Sequence, residues 1–325
     1  FGGLLFLLSA GFSLIFGLMR IPNLTHGSLF MLGAYVGATF VIGLLGFELN
    51  FWLAAVLAML TVAALGALAE RLLLRRLPGD QLAQVLVTLG LSFMAADFCL
   101  QVWGGDPLNV TTPAGLGGFI RFGTVVFPAY RLAIIVIAAL VAVALWLLLD
   151  RTRLGAMIRA GVDDPDMARV VGIRVSQLFT IVFALGAGLA AFAGIIGGPI
   201  LSVYPGLDQD MLPLALVVVI LGGTGSLLGS FVGSIIVGFI YNFGQALLPE
   251  LAYFVLFMPM LLVLPSGQNT PNLRAGDTVD ARGTIEKAPP AAKAAHQWSL
   301  SGLGEQRLQQ EGVYIQANQV QIGRS

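Results

Sequence analysis

Charge is what this sequence lacks most. Acidic and basic residues together make up 10% of its 325 residues, whereas a soluble domain uses roughly 25% to cover its surface. The 17 basic and 17 acidic side chains cancel, so net charge points to no nucleic acid and no acidic partner. Charge is missing altogether from residues 1–19, 50–69, 132–149, 175–207 and 211–249. Uncharged runs of about 20 residues match the hydrocarbon thickness of a bilayer crossed by a helix. A transmembrane barrel is excluded, because these runs do not alternate polar with apolar side chains.

Chemically versatile residues are equally scarce. The single cysteine, Cys99, excludes an intrachain disulfide and a thiolate metal cluster. Two histidines, His26 and His296, are too few and too far apart for a His-Glu-x-x-His zinc site. No Gly-rich loop ends in Lys-Ser or Lys-Thr, so the chain carries no nucleotide-hydrolysis motif. A Gly-x-Ser-x-Gly serine elbow is absent too. No two charged side chains lie together deep in an apolar run, as a proton relay would need. None of these motifs for hydrolysis, metal binding or proton relay is therefore expected to operate in this chain.

What is present reads as an all-α polytopic membrane protein with about eight or nine crossings and one or more broken helices. The expected spans are residues 2–18, 28–46, 51–69, 82–103, 127–149, 178–198, 226–247 and 251–264. Residues 212–221 form a shorter piece, broken or re-entrant, whose free backbone groups must face protein or water. Forty-one glycines fit this class, since small residues let membrane helices approach closely. The chain opens on Phe1-Gly-Gly-Leu-Leu without an initiating Met or a basic leader, so its natural start is expected to lie upstream.

The basic residues orient the spans. If the spans alternate, one side receives Arg20, the connection with Arg71, Arg75 and Arg76, and the connection with Arg151, Arg153, Arg159, Arg169 and Arg174. The other side receives Glu48, Asp106, Asp208, Asp210 and Glu250, with Arg121 and Arg131. Positive charge marks the cytoplasmic side. The N-terminus is then outside and the C-terminal tail inside.

The longest cytoplasmic connection, residues 150–176, carries a helix signal. Asp163 or Asp164 can cap a short helix, Pro165 suits its first turn, and Gly172 can end it. Met167, Val170 and Val171 fall on one apolar strip; Arg169 points elsewhere. Such a helix can lie at the membrane interface or dock into a groove on a cytoplasmic partner.

Two glycine-bearing stretches are expected to shape the interior. Gly225, Gly229 and Gly233 recur every four residues, shadowed by Ser226, Ser230 and Ser234, and Leu221-Gly222-Gly223-Thr224-Gly225 can interrupt a helix. Around Pro22, Asn23 and Thr25 can satisfy freed backbone groups or cap the next helix. Gly33 and Gly37 offer a further small face, and His26 alone is a poor metal ligand. Asp97 is the one carboxylate inside an expected span, and should face protein or water. Asn23, Thr25, Asp97, Gly222, Gly223 and Gly225 are accordingly the candidate passage or helix-break residues. Asn23-Leu-Thr25 and Asn109-Val-Thr111 match the short glycosylation pattern, the first on the expected inner side.

These stretches also carry a resemblance. Residues 11–35 (GFSLIFGLMRIPNLTHGSLFMLGAY), 86–107, 151–194 and 221–238 resemble the LivH-type permeases of bacterial ABC importers for branched-chain amino acids, and the likeness covers residues 1–264. The resemblance implies a non-catalytic inner-membrane subunit paired with a homologous second permease. It also implies two cytoplasmic ATPase subunits that bind ATP and Mg, and a periplasmic substrate-binding protein. By the same resemblance, the coupling surface falls within residues 159–173: Arg159, Asp163, Asp164, Pro165, Met167, Ala168, Val170 and Gly172. A hydrophobic amino acid is the implied cargo. Urea or a short amide is the alternative, and a non-transporting membrane scaffold is the alternative of another class.

The composition changes after residue 264. Residues 265–325 are polar, with a linker-like Ala-Pro-Pro-Ala-Ala-Lys-Ala-Ala stretch, and are expected to be disordered. Residues 312–322 alternate partly and should form a strand only against a partner. The Leu264-Pro-Ser-Gly junction departs from the short Arg-Pro-x-Gly-Leu-Phe-Gly-like end usual among such permeases.

Overall fold

The computed structural model describes residues 1–19, 23–44, 46–77, 80–122, 125–247, 278–287 and 313–323. The chain divides into two units, Phe1–Leu264 and Pro265–Ser325. The first is built from α1 (Gly2–Met19), α2 (His26–Ile42), α3 (Phe51–Leu72), α4 (Gln81–Trp103) and α5 (Ala129–Arg151). After these come α6 (Arg153–Asp163), α7 (Pro165–Val170), α8 (Val175–Leu201), α9 (Leu207–Gly222) and α10 (Leu227–Leu247). A short antiparallel pair, β1 (Phe119–Phe122) and β2 (Val125–Pro128), leads into α5.

Among the described residues six helices are long and apolar enough to cross a membrane: α1, α3, α4, α5, α8 and α10. Two more of the expected pieces are the shorter helices α2 and α9. α2 has 17 residues because Gly43, at φ 75°, stops it before the expected end, and 17 residues rise only about 26 Å. α9 reaches back to Leu207, well before the expected piece, yet has 16 residues with Pro213 inside. Proline lacks the N–H that would bond the carbonyl one turn earlier, so α9 is a broken helix. Arg20, Pro22, Glu250 and the expected span 251–264 lie outside the described residues.

Small side chains decide the core. α1 is apolar all round, and Leu5, Phe6, Leu7 and Phe12 are fully buried. It crosses α8 where two glycines meet: a Cβ on Gly11 would lie 2.6 Å from the Gly186 carbonyl oxygen. Such a contact is open only to residues without a side chain. α2 and α3 pack on the same α8, whose Ala187, Ala190, Ala191 and Ala193 are buried. At one end of α3 the buried Glu70 accepts a 2.5 Å hydrogen bond from Thr180 of α8. α4 and α5 stand at the periphery and expose most of their apolar side chains.

In the second unit β3 (Thr278–Lys287) pairs antiparallel with β4 (Val313–Gly323), with an irregularity between Arg282 and Gly283. The two small strand pairs are the exceptions to an otherwise helical architecture.

Candidate functional site

The connection between α5 and α8 is a helical hairpin rather than a loop with one helix. Thr152 opens α6, its hydroxyl accepting from the Gly155 amide at 3.2 Å. Leu154, Gly155, Ile158, Gly161 and Val162 form the inward face of α6, at the three-and-four spacing that makes one face of a helix. Gly161 sits close to α8, where a Cβ would lie 2.8 Å from a methyl of Leu178. Asp163 closes α6, and Asp164 is the cap of α7, its carboxylate accepting from the Met167 amide at 2.9 Å. Pro165 begins α7, where the missing N–H costs no helix bond. Gly172, at φ 89°, ends the turn, and the Gly172 and Ile173 amides bond back to the Arg169 and Ala168 carbonyls at 3.0 Å each.

This geometry gives the hairpin an inner and an outer side. Ala168 is buried, whereas Met167, Val170 and Val171 are 59%, 80% and 68% exposed. Arg159 keeps half of its side chain exposed. Its guanidinium donates to the Leu149 carbonyl oxygen and pairs with Asp150 at 3.2 Å, tying α6 to the end of α5.

Beneath the hairpin lies an open cavity of about 640 Å³ lined by Leu14, Gly17, Trp146, Ile158, Gly225 and Phe231 among others. One wall is the break between α9 and α10. Gly222 ends α9, while Gly223 and Gly225 take positive φ of 87° and 79°. The Gly225 amide donates to Ser13 of α1 at 3.1 Å, and a Cβ on Gly17 would lie 2.6 Å from the Gly225 Cα. α9 and α10 then pack glycine on glycine, Gly222 against Gly229. The serines of this run are occupied locally: Ser226 accepts from the Gly229 amide, and Ser230 and Ser234 donate to carbonyls of their own helix.

A second polar region joins α2, α4 and α9. The Thr25 hydroxyl donates to the Thr88 carbonyl at 2.9 Å, the Ser28 and Ser92 hydroxyls lie 2.7 Å apart, and the Trp103 indole donates to Thr39 at 2.7 Å. Partners 63 or 64 residues apart along both helices mean that α2 and α4 run parallel along a polar seam. Asn23 is buried and accepts from the Thr25 amide at 3.1 Å. His26 is buried, and its Nε2 donates to the Leu8 carbonyl at 3.0 Å. That assignment follows because a carbonyl oxygen only accepts.

Of the candidate passage residues, Asn23 and Thr25 reach this seam, Gly222, Gly223 and Gly225 gather near α1 and α6, and Asp97 joins neither. Asp97 is exposed on the far face of α4. Besides Glu70, the buried carboxylate is Asp208, 4% exposed, which accepts from the Ser28 hydroxyl at 2.9 Å. Its neighbour Asp210 is held instead by the Tyr204 hydroxyl. Ser28, Thr88, Ser92 and Asp208 were missed from sequence. The polar residues Thr88 and Ser92, one turn apart within an apolar span, were the signal that could have found the seam. Among the described residues no group of three or more His, Cys, Asp or Glu side chains could hold a metal ion.

The described helices make a membrane-type helical core with an exposed hairpin, and comparison with known proteins gives it a family. Residues 1–264 match the family described as "Branched-chain amino acid transport system / permease component". The chain is 27% identical over 277 residues to the high-affinity branched-chain amino acid transport system permease protein BraD of Pseudomonas aeruginosa, covering 80% of this chain and 90% of that protein. It is 26% identical over 279 residues to the corresponding permease LivH of Escherichia coli, covering 80% and 89%. The ribose import permease protein RbsC of Escherichia coli is 29% identical over 254 residues, 74% of each chain. No solved structure matches the chain. Among the described residues, six helices long and apolar enough to cross a membrane agree with that description, and the chain belongs to this permease family.

Proposed function

We propose that this chain is the permease subunit of an ATP-binding-cassette importer that carries branched-chain or other hydrophobic amino acids inward. It sits in a bacterial inner membrane with its N-terminus outside, beside a homologous second permease. Two cytoplasmic ATPases hold ATP and Mg, and a periplasmic binding protein delivers the solute. Closure of the ATPases pushes on the hairpin, and the push alternates access to the passage.

One observation carries this reading: α7 turns Met167, Val170 and Val171 outward while α6 is tied to α5 and packed on α8. An exposed apolar strip on a rigidly held short helix is what a groove on a separate motor needs for helix-in-groove docking. Arg159 serves in this proposal as the tie of α6 to α5. Asp163, Asp164, Pro165 and Gly172 set the bounds of α7, and Ala168 seats it. The cavity behind the hairpin lets the Gly222–Gly225 break shift when α6 moves.

Likeness to the ribose permease favours a second reading, a sugar as cargo; urea or a short amide is a further one. Proteoliposomes holding the permeases, ATPases and binding protein decide between them. Leucine uptake with solute-stimulated ATP hydrolysis is expected. Uptake of ribose or urea in its place would change the cargo, and no uptake of any solute would leave the scaffold reading.

A further inference from the structure

Asp208 is a buried carboxylate without a balancing charge. One oxygen accepts from the Ser28 hydroxyl at 2.9 Å, and Ser28 in turn lies 2.7 Å from Ser92. The other oxygen, Oδ1, has no partner. Among the described residues no basic side chain pairs with Asp208. An ionised carboxylate removed from water and held by one hydroxyl is strongly disfavoured unless something compensates it.

The surroundings suit a positively charged occupant. Gly27 allows the first turn of α9 to press onto α2, since a Cβ there would lie 2.6 Å from the Asp208 carbonyl oxygen. Ser28 and Ser92 each offer lone pairs as well as a proton, so the same hydroxyls can support the carboxylate or help to surround a cation. Ser92 is half-buried on α4, the helix whose remaining face is open.

We propose that Asp208, with Ser28 and Ser92, is a binding site for a small cationic group, either the ammonium of the transported solute or a free alkali cation. The site rests on the importer reading only in the first case. With an ammonium occupant it makes the permease itself a selector of amine-bearing solutes over sugars, in addition to the binding protein.

The test measures retention by the purified permease–ATPase complex without the binding protein. The probes are leucine, its 2-hydroxy analogue (2-hydroxy-4-methylpentanoate) and sodium. Wild-type complex is expected to retain leucine over the hydroxy acid by roughly tenfold or more, and Asp208→Asn to lose that preference. Leucine retention equal in sodium and choline buffers assigns the occupant to the solute. Sodium-dependent thermal stabilisation without leucine, lost in Asp208→Asn, assigns it to the free cation. A carboxylate held neutral by a proton would be replaced without loss by asparagine, so an Asp208→Asn complex indistinguishable from wild type in both assays overturns the site. If the variant does not assemble, wild-type complex that neither prefers leucine to the hydroxy acid nor responds to sodium overturns it equally. Failure of uptake in proteoliposomes would remove the importer reading, and the sodium comparison would still decide the site.

Discussion

α1 and α4 have nearly the same mean hydropathy, 2.0 and 1.8, yet 78% of one span is buried inside the chain and 11% of the other. Hydropathy therefore assigns a helix to the membrane without saying whether it faces protein or lipid. In lipid there is no water to drive helices together, so the choice falls to shape and to polar contacts. α1 meets its neighbours through Gly11 and Gly17, against Gly186 and Gly225. α4 meets α2 through hydroxyls and an indole, and its other face, with Leu82, Phe93, Met94 and Phe98, is open.

The sharpest way to break this contrast is to add bulk. Gly11→Leu drives a side chain into the Gly186 backbone and should abolish recovery of monodisperse permease, since overpacking costs about 1–3 kcal/mol or more. Gly90→Leu on α4, where a Cβ meets nothing within 4 Å, should leave recovery near wild type. Size-exclusion yield in detergent checks both. Equal loss from both variants would mean that α4 is as tightly enclosed as α1.

A smaller effect is expected where the chain is open by design. Val170→Asp puts a charge on the outward strip of α7 and should weaken co-purification of the ATPases by about tenfold or more. Val136→Thr, on the open face of α5, should not. The smallest effect concerns the seam. Ser28→Ala removes the hydroxyl that Asp208 accepts from and should lower stability by about 1–3 kcal/mol, read as a fall in Tm. Thr61→Ala, whose hydroxyl bonds only within its own helix, should stay within about 0.5 kcal/mol.

The same contrast explains what could be read before the structure. Uncharged runs revealed the crossings, because lipid excludes charge whichever way a helix faces. Asp164, Pro165 and Gly172 revealed α7, because caps and stops are local chemistry. The facing of a side chain is not local. Asp97 lies within a run that hydropathy marks as membrane, but it points away from the body. Asp208 follows Pro199 and Gly206 and read as part of an outer connection, yet the first turn of α9 folds onto Gly27 and buries it. α6 was missed for a related reason, as its arginines resemble a loop until Arg159 is seen turned back on Asp150. The length of α2 was set by Gly43, one glycine among many in the sequence.

The central claim is that the α6–α7 hairpin faces the cytoplasm and meets a separate motor there. A Cys99→Ala, Val170→Cys chain, labelled with a membrane-impermeant thiol reagent, tests it directly. Position 170 is predicted to label in inside-out vesicles, to stay unlabelled in intact cells, and to be shielded when the ATPases are bound. Labelling in intact cells would contradict both the orientation and the docking role of α7.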